Sequence, residues 1–224
     1  MPNGEVSLLE KYGEDYTKKE YVTDPAIARD EEIKQVLLVL LTPDKSAILV
    51  GKAGIGKTAI VEGIAYRIQK GLVPEVLKGM RVVKVSVSSI MGTAISGGVL
   101  EQRLEILVNE IKKAGKGNLI LFIDEVHLLI NRTENNSMDF ANMLKPSLDR
   151  GDIKMVGATT TEEYEQYILR DRAFNRRFQK IDVKETNLED TVKIMMGTYP
   201  RFEKQTGVKL GYTDFIKGKI MKFL

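Results

Sequence analysis

The octapeptide GKAGIGKT, Gly51 to Thr58, constrains this chain more than any other feature. It follows a short apolar run, Ala47–Val50, and precedes an amphipathic stretch, so the G-x-x-x-x-G-K-[ST] pattern has the strand-to-helix setting it requires. Glycines allow backbone N–H groups to turn inward around a phosphate at a helix N-terminus. Lys57 adds a point charge on the terminal phosphate oxygens, and Thr58 offers a hydroxyl to Mg²⁺. The candidate phosphate-binding residues are therefore Gly51, Ala53, Gly54, Ile55, Gly56, Lys57, Thr58 and Ala59, and the group they suit is ATP or ADP with Mg²⁺. The competing reading, a glycine-rich turn without a ligand, is disfavoured by the flanks.

Further short apolar runs at Val82–Val87, Leu119–Ile123, Ile153–Val156 and Phe178–Val183 alternate with longer amphipathic segments. Strands alternating with helices predict an α/β fold: a P-loop three-layer αβα sandwich around a mostly parallel five-stranded sheet. A helical stripe, Ile33, Val36, Leu37, Leu40 and Leu41, stops before Pro43. Residues 1–22 lack a sustained period and read as an arm or linker, residues 23–184 as the large subdomain, and residues 185–224 as the start of a small helical lid. In that lid, Asn187 and Asp190 mark a helix start, helical spacing runs to Lys204, and Phe215 to Leu224 forms a final helical segment.

LILFIDE, Leu119 to Glu125, reads as a buried strand ending in two acids, and α/β sheets place ligands at the carboxyl ends of their strands. Asp124 would hold Mg²⁺, and Glu125 would orient and deprotonate an attacking water. By itself such a strand end is more often a solvated loop start; the P-loop upstream reverses that weighting. His127 reads as a strand-end polar residue.

Composition narrows the alternatives. With 34 basic and 31 acidic residues the formal charge is only +3, too weak a field to demand nucleic acid or an anionic membrane. The chain has no cysteine and one histidine, which disfavours disulfides and thiolate or imidazole metal sites. Its apolar runs fall short of the roughly 18 residues of a membrane span, and no signal peptide opens it, so a cytoplasmic location is expected.

Several strings together, GKAGIGKTAIVEGIA, LFIDEVHLL, MLKPSLDRG, GATTTEEYEQYI and RRFQ, resemble the Clp ATPases of the ClpA, ClpB and ClpC type, in that family's order, over about Thr23 to Asp190. The resemblance implies an AAA+ module, first in its chain, that hydrolyses ATP to remodel polypeptides in a hexameric ring. It makes Thr160 the sensor of the γ-phosphate, although Thr160 and Glu163 also suit a capping box. It makes Arg176 and Arg177 the arginine fingers that reach a neighbour's nucleotide, although such a pair is by itself more often a solvated face. DPAIARD, Asp24 to Asp30, resembles the adenine-side loop, implying contacts from Ala26 and Ile27, with Ala28 where the family usually has glycine.

Two departures bear on function. Aligning Gly98, Glu101, Arg103 and Leu104 with the family's Gly-x-x-Glu-x-Arg-Leu pattern puts Ser96 where a pore-loop tyrosine grips substrate, and a serine lacks that large apolar face. Only one P-loop is present and the lid stops short of a second sensor motif, so a fragment of a longer protein is expected over a reduced relative. Any peptidase or adaptor would then bind through absent regions. Against the ATPase reading stand a ring-assembly module with weak hydrolysis, which Ser96 favours, and a nucleic-acid motor, which DEVH at Asp124 to His127 weakly suggests. With 7% aromatic residues and no basic stripe, the second has little support.

Overall fold

The computed structural model describes residues 7–92, 97–115, 118–130, 140–151, 153–209 and 219. Its sheet consists of Gly13–Asp15 (β1), Ser46–Val50 (β2), Arg81–Val85 (β3), Leu119–Ile123 (β4), Lys154–Thr159 (β5) and Phe178–Asp182 (β6), in the order β1-β3-β4-β5-β2-β6. The helices are Leu8–Tyr12 (α1), Asp30–Leu41 (α2), Lys57–Gln69 (α3), Val87–Gly92 (α4), Gly97–Gly115 (α5), Phe140–Asp149 (α6), Thr161–Glu163 (α7), Arg172–Asn175 (α8) and Leu188–Thr206 (α9). Among the described residues no helix is long and apolar enough to cross a membrane.

Strand alternation builds two cores. Ile48, Val50, Val83, Val85, Leu121 and Ile123 pack with Leu104, Leu107 and Ile111 of α5 and with Leu144 and Leu148 of α6. The intervening residues, Ala47, Leu49, Val82, Ile120 and Phe122, pack on the other face with Ile33, Val36 and Leu40 of α2 and Ile60 and Ile64 of α3. Burial on both faces is why these parallel strands read as continuous apolar runs.

All five expected strands are present and mutually parallel. The fourth continues past Val156 through Gly157 and Ala158 to Thr159, a small-residue stretch that lets Val126 lie on the strand: a Cβ on Gly157 would sit 3.0 Å from Val126 Cγ1. The five-strand expectation omitted β1, which joins antiparallel to β3 from within the segment read as an arm. GED has no apolar alternation to announce a strand; its pairing comes from the open edge of β3. Distant contacts hold it there: the Glu110 carboxylate of α5 accepts from the Leu9 N–H (2.8 Å) and the Ser7 hydroxyl (2.8 Å), capping α1, and Arg81 Nε donates to Asp15 at 2.8 Å.

Helix α9 starts where the Asn187 side chain accepts from Asp190 N–H and ends at Gly207, whose φ is +70°. The helix expected over Phe215 to Leu224 and the pore-loop position Ser96 lie outside the described residues. The segment before α2 is pinned to α3 at Gly63, where a Cβ would fall 2.4 Å from the Ala26 Cβ. That neighbour cannot rotate away. Gly63→Ala should therefore lower stability by about 1–3 kcal/mol, read as a fall in the thermal or urea midpoint, despite the better helix propensity of alanine.

Candidate nucleotide-binding site

In the sheet order, β5 lies between β4 and β2. The carboxyl ends of these three strands are thereby adjacent, and each delivers its own group: the P-loop after β2, Asp124 and Glu125 after β4, Thr159 and Thr160 at the end of β5. They surround a cavity of about 380 Å³ lined by Ala53, Gly54, Gly56, Lys57, Thr58, Asp124, Glu125, Thr159, Thr160 and Glu163.

The P-loop glycines have two distinct reasons to be glycine. Gly54 and Gly56 hold φ of +74° and +100° with open space where a Cβ would point, so backbone conformation alone demands them. Gly51 meets the opposite constraint, because a Cβ there would lie 2.6 Å from the Val183 carbonyl oxygen. Lys57 Nζ donates to the Gly51 and Lys52 carbonyls at 2.8 and 2.9 Å. Burial pushes its pKa down, against the opposing pull of Asp124, Glu163 and Glu162.

Asp124 Oδ2 accepts from Thr58 Oγ1 at 3.2 Å and also receives Lys84 Nζ at 3.2 Å. Asp124 Oδ1 accepts from the Glu125 N–H at 3.2 Å. Glu125 is exposed and sits in the left-handed region, at φ +53° and ψ +47°. A glutamate held there carries backbone strain, which is found disproportionately at functional sites. The short helix of Val126–Leu129 follows at once, with Val126 buried, so the turn is fixed from the core side.

At the end of β5, Thr160 Oγ1 accepts from Glu163 N–H while Glu163 Oε2 accepts from Thr160 N–H, the expected capping box. The same Glu163 oxygen accepts from Thr159 Oγ1 at 2.8 Å and lies 3.1 Å from His127 Nδ1. Burial raises the Glu163 pKa, but the Thr160 N–H, the Thr159 hydroxyl and His127 together outweigh it and hold the carboxyl below its usual range. His127 is buried and stacks on Tyr167, with ring centroids 5.8 Å apart. It is thus tied to Thr159 and Glu163 at the β5 end of the cavity.

The remaining candidates lie outside this cavity. Gly51, Ile55 and Ala59 are not among its lining residues. Ala26 is buried against Gly63, while Ile27 packs on α9, where a Cβ at Gly197 would fall 2.0 Å from Ile27 Cδ1. Ala28 has φ +60°, so the residue that stands for the family's glycine adopts the conformation glycine prefers. Arg176 is exposed, whereas Arg177 is only 7% exposed and engaged within its own chain.

Sequence reasoning missed two cations. Buried Arg29 donates to the Ile55 carbonyl of the P-loop (2.9 Å), the Lys184 carbonyl between β6 and α9 (2.8 Å) and Glu32 (2.8 Å), joining three segments. Lys84 was signalled only as a charge set between Val83 and Val85 in the RVVKV strand.

The family described as "ATPase family associated with various cellular activities (AAA)" matches residues 47–184. The chaperone protein ClpB of Corynebacterium efficiens is 44% identical over 214 residues, 93% of this chain and 25% of that protein. ClpB of Propionibacterium freudenreichii is 45% identical over 211 residues, 92% of this chain and 24% of its own length. Among solved structures, the Saccharomyces cerevisiae Hsp104–ADP complex superposes with a TM-score of 0.79 at 39% identity, covering 94% of this chain and 36% of that one. The Hsp104:casein complex in its extended conformation gives 0.81 at 38% identity, covering 96% and 37%. This chain thus spans about a quarter of the length of the curated relatives it matches.

Proposed function

The chain belongs to the AAA family of ATPases and is a nucleotide-binding module of the Clp type, and from that premise we propose that it supplies ATP hydrolysis to a ring that remodels polypeptides. The convergence of Lys57, Thr58, Asp124, Glu125 and Thr160 on one cavity is the observation that carries this reading.

The donor set fits Mg²⁺: the Asp124 carboxylate and Thr58 hydroxyl are hard oxygens 3.2 Å apart, and this ion is commonly held by one or two carboxylates together with substrate phosphates. Bound there, the ion would neutralise charge on the phosphates. The P-loop amides and Lys57 bind the phosphate chain, and Glu125 takes a proton from the attacking water. Thr160 reads the γ-phosphate while its hydroxyl still caps the following helix. Glu163 is unsuited to act as base, since its carboxylate already accepts from Thr159 and Thr160.

The polypeptide substrate is proposed on likeness to the Hsp104:casein complex and the ring on the resemblance to the Clp ATPases, with Arg176, which is exposed, proposed as an arginine finger. Adenine would lie on the Ala26–Ile27 side, and the lid would begin near residue 185. The test is ATP turnover and solution mass of the chain at saturating ATP and Mg²⁺, with and without an unfolded polypeptide. Turnover that rises with assembly and again with polypeptide is expected. Assembly on ATP with negligible turnover would instead favour a ring-holding module, and no response of either kind to ATP would remove the proposal.

A further inference from the structure

Lys84 interrupts the apolar run Val82–Val85 at a place where alternation gives it only one direction to face. Its neighbours Val83 and Val85 belong to the core under α5, and Val82 to the core under α2 and α3. Lys84 therefore shares the α2–α3 face with Phe122, its register partner in β4, and with Asp124 two residues further along that strand. Its Nζ lies 5.7 Å from the Phe122 ring centroid and 3.2 Å from Asp124 Oδ2, the oxygen that also accepts from Thr58 at 3.2 Å. The pair is partly enclosed, at 26% exposure for the Lys84 side chain and 32% for Asp124. Asp124 lines the cavity and Lys84 does not, so Lys84 meets the carboxylate from outside that lining.

We propose that Lys84 is a positioning residue that supplies part of the metal's charge at Asp124, orienting the carboxylate before Mg²⁺ arrives and opposing the ion once it is there. This rests on the reading of Asp124 as the metal carboxylate. Two consequences of opposite sign follow from Coulomb's law. Without divalent ion, a fixed positive charge beside the phosphate site attracts ATP; with it, two cations share one carboxylate and repel. A residue that merely fills space on β3 would not push these two quantities in opposite directions.

Lys84→Met keeps the stem over Phe122 and removes the charge. It should weaken binding of a fluorescent ATP analogue in excess EDTA by about three- to tenfold, and lower the free Mg²⁺ needed for half-maximal hydrolysis by a similar factor. Lys84→Arg, which retains the charge, should stay close to wild type in both. Asp124→Asn separates this inference from the reading beneath it. If Asp124→Asn raises the Mg²⁺ requirement while Lys84→Met moves neither quantity, or moves both in the same sense, the role of Lys84 is overturned and the metal carboxylate stands. If Asp124→Asn leaves the Mg²⁺ requirement unchanged, the metal reading of Asp124 fails and the inference falls with it.

Discussion

Glu125→Gln should leave ATP binding intact and slow hydrolysis by roughly 10²–10⁴-fold, the range removed with a general base. The two side chains have the same shape, so the left-handed turn at φ +53° and the buried Val126 beyond it are undisturbed. An amide can hydrogen-bond the attacking water but cannot take its proton. The proposed phosphate contacts lie elsewhere, in Lys57, Thr58 and the P-loop amides, so affinity should hold. Single-turnover hydrolysis alongside equilibrium binding of a labelled nucleotide separates the two quantities. Wild-type hydrolysis in this variant would move the base to another group. Glu163, the other carboxylate lining the cavity besides Asp124, is a poor substitute because it is already committed to Thr159, Thr160 and His127.

Arg176→Ala should reduce turnover of the assembled protein by roughly 10³–10⁵-fold, as expected for an arginine finger, equivalent to about 4–7 kcal/mol of barrier. The same change should do little to a dilute, unassembled chain, because Arg176 is exposed and lines no part of its own cavity. Arg177, buried in its own chain, should instead cost folding stability when truncated. Turnover measured across a dilution series that spans assembly is the decisive experiment. A loss of equal size at every concentration would place Arg176 in its own subunit's chemistry and remove the trans role.

The legible parts of the site are those written in consecutive residues. Gly54 and Gly56 announce positive φ by being glycine, Thr160 and Glu163 announce a cap by their spacing, and LILFI announces a doubly buried strand by its unbroken apolarity. Gly157 and Ala158 extend β5 beyond its apolar run without a strand signal of their own, and Gly157 is small where Val126 lies against the strand. Arginines 176 and 177 are indistinguishable as letters, and only packing separates an exposed side chain from a buried one.

By itself the sequence determined that a phosphate-binding loop joins a strand to a helix, that two carboxylates end another strand, and that the fold is α/β. Local spacing specifies backbone conformation and apolar period, and those features need nothing more. Only the tertiary structure decided that β5 sits between the other two strands, so that Thr58 meets Asp124 across 66 residues of chain. It alone brought Lys84 to Asp124 across 40 residues and Arg29 to Lys184 across 155. It also recruited β1 to the edge of the sheet. The physical reason is common to all four: each contact is set by the order in which strands pair and by which face a residue presents, and neither is encoded in the spacing of neighbours along the chain.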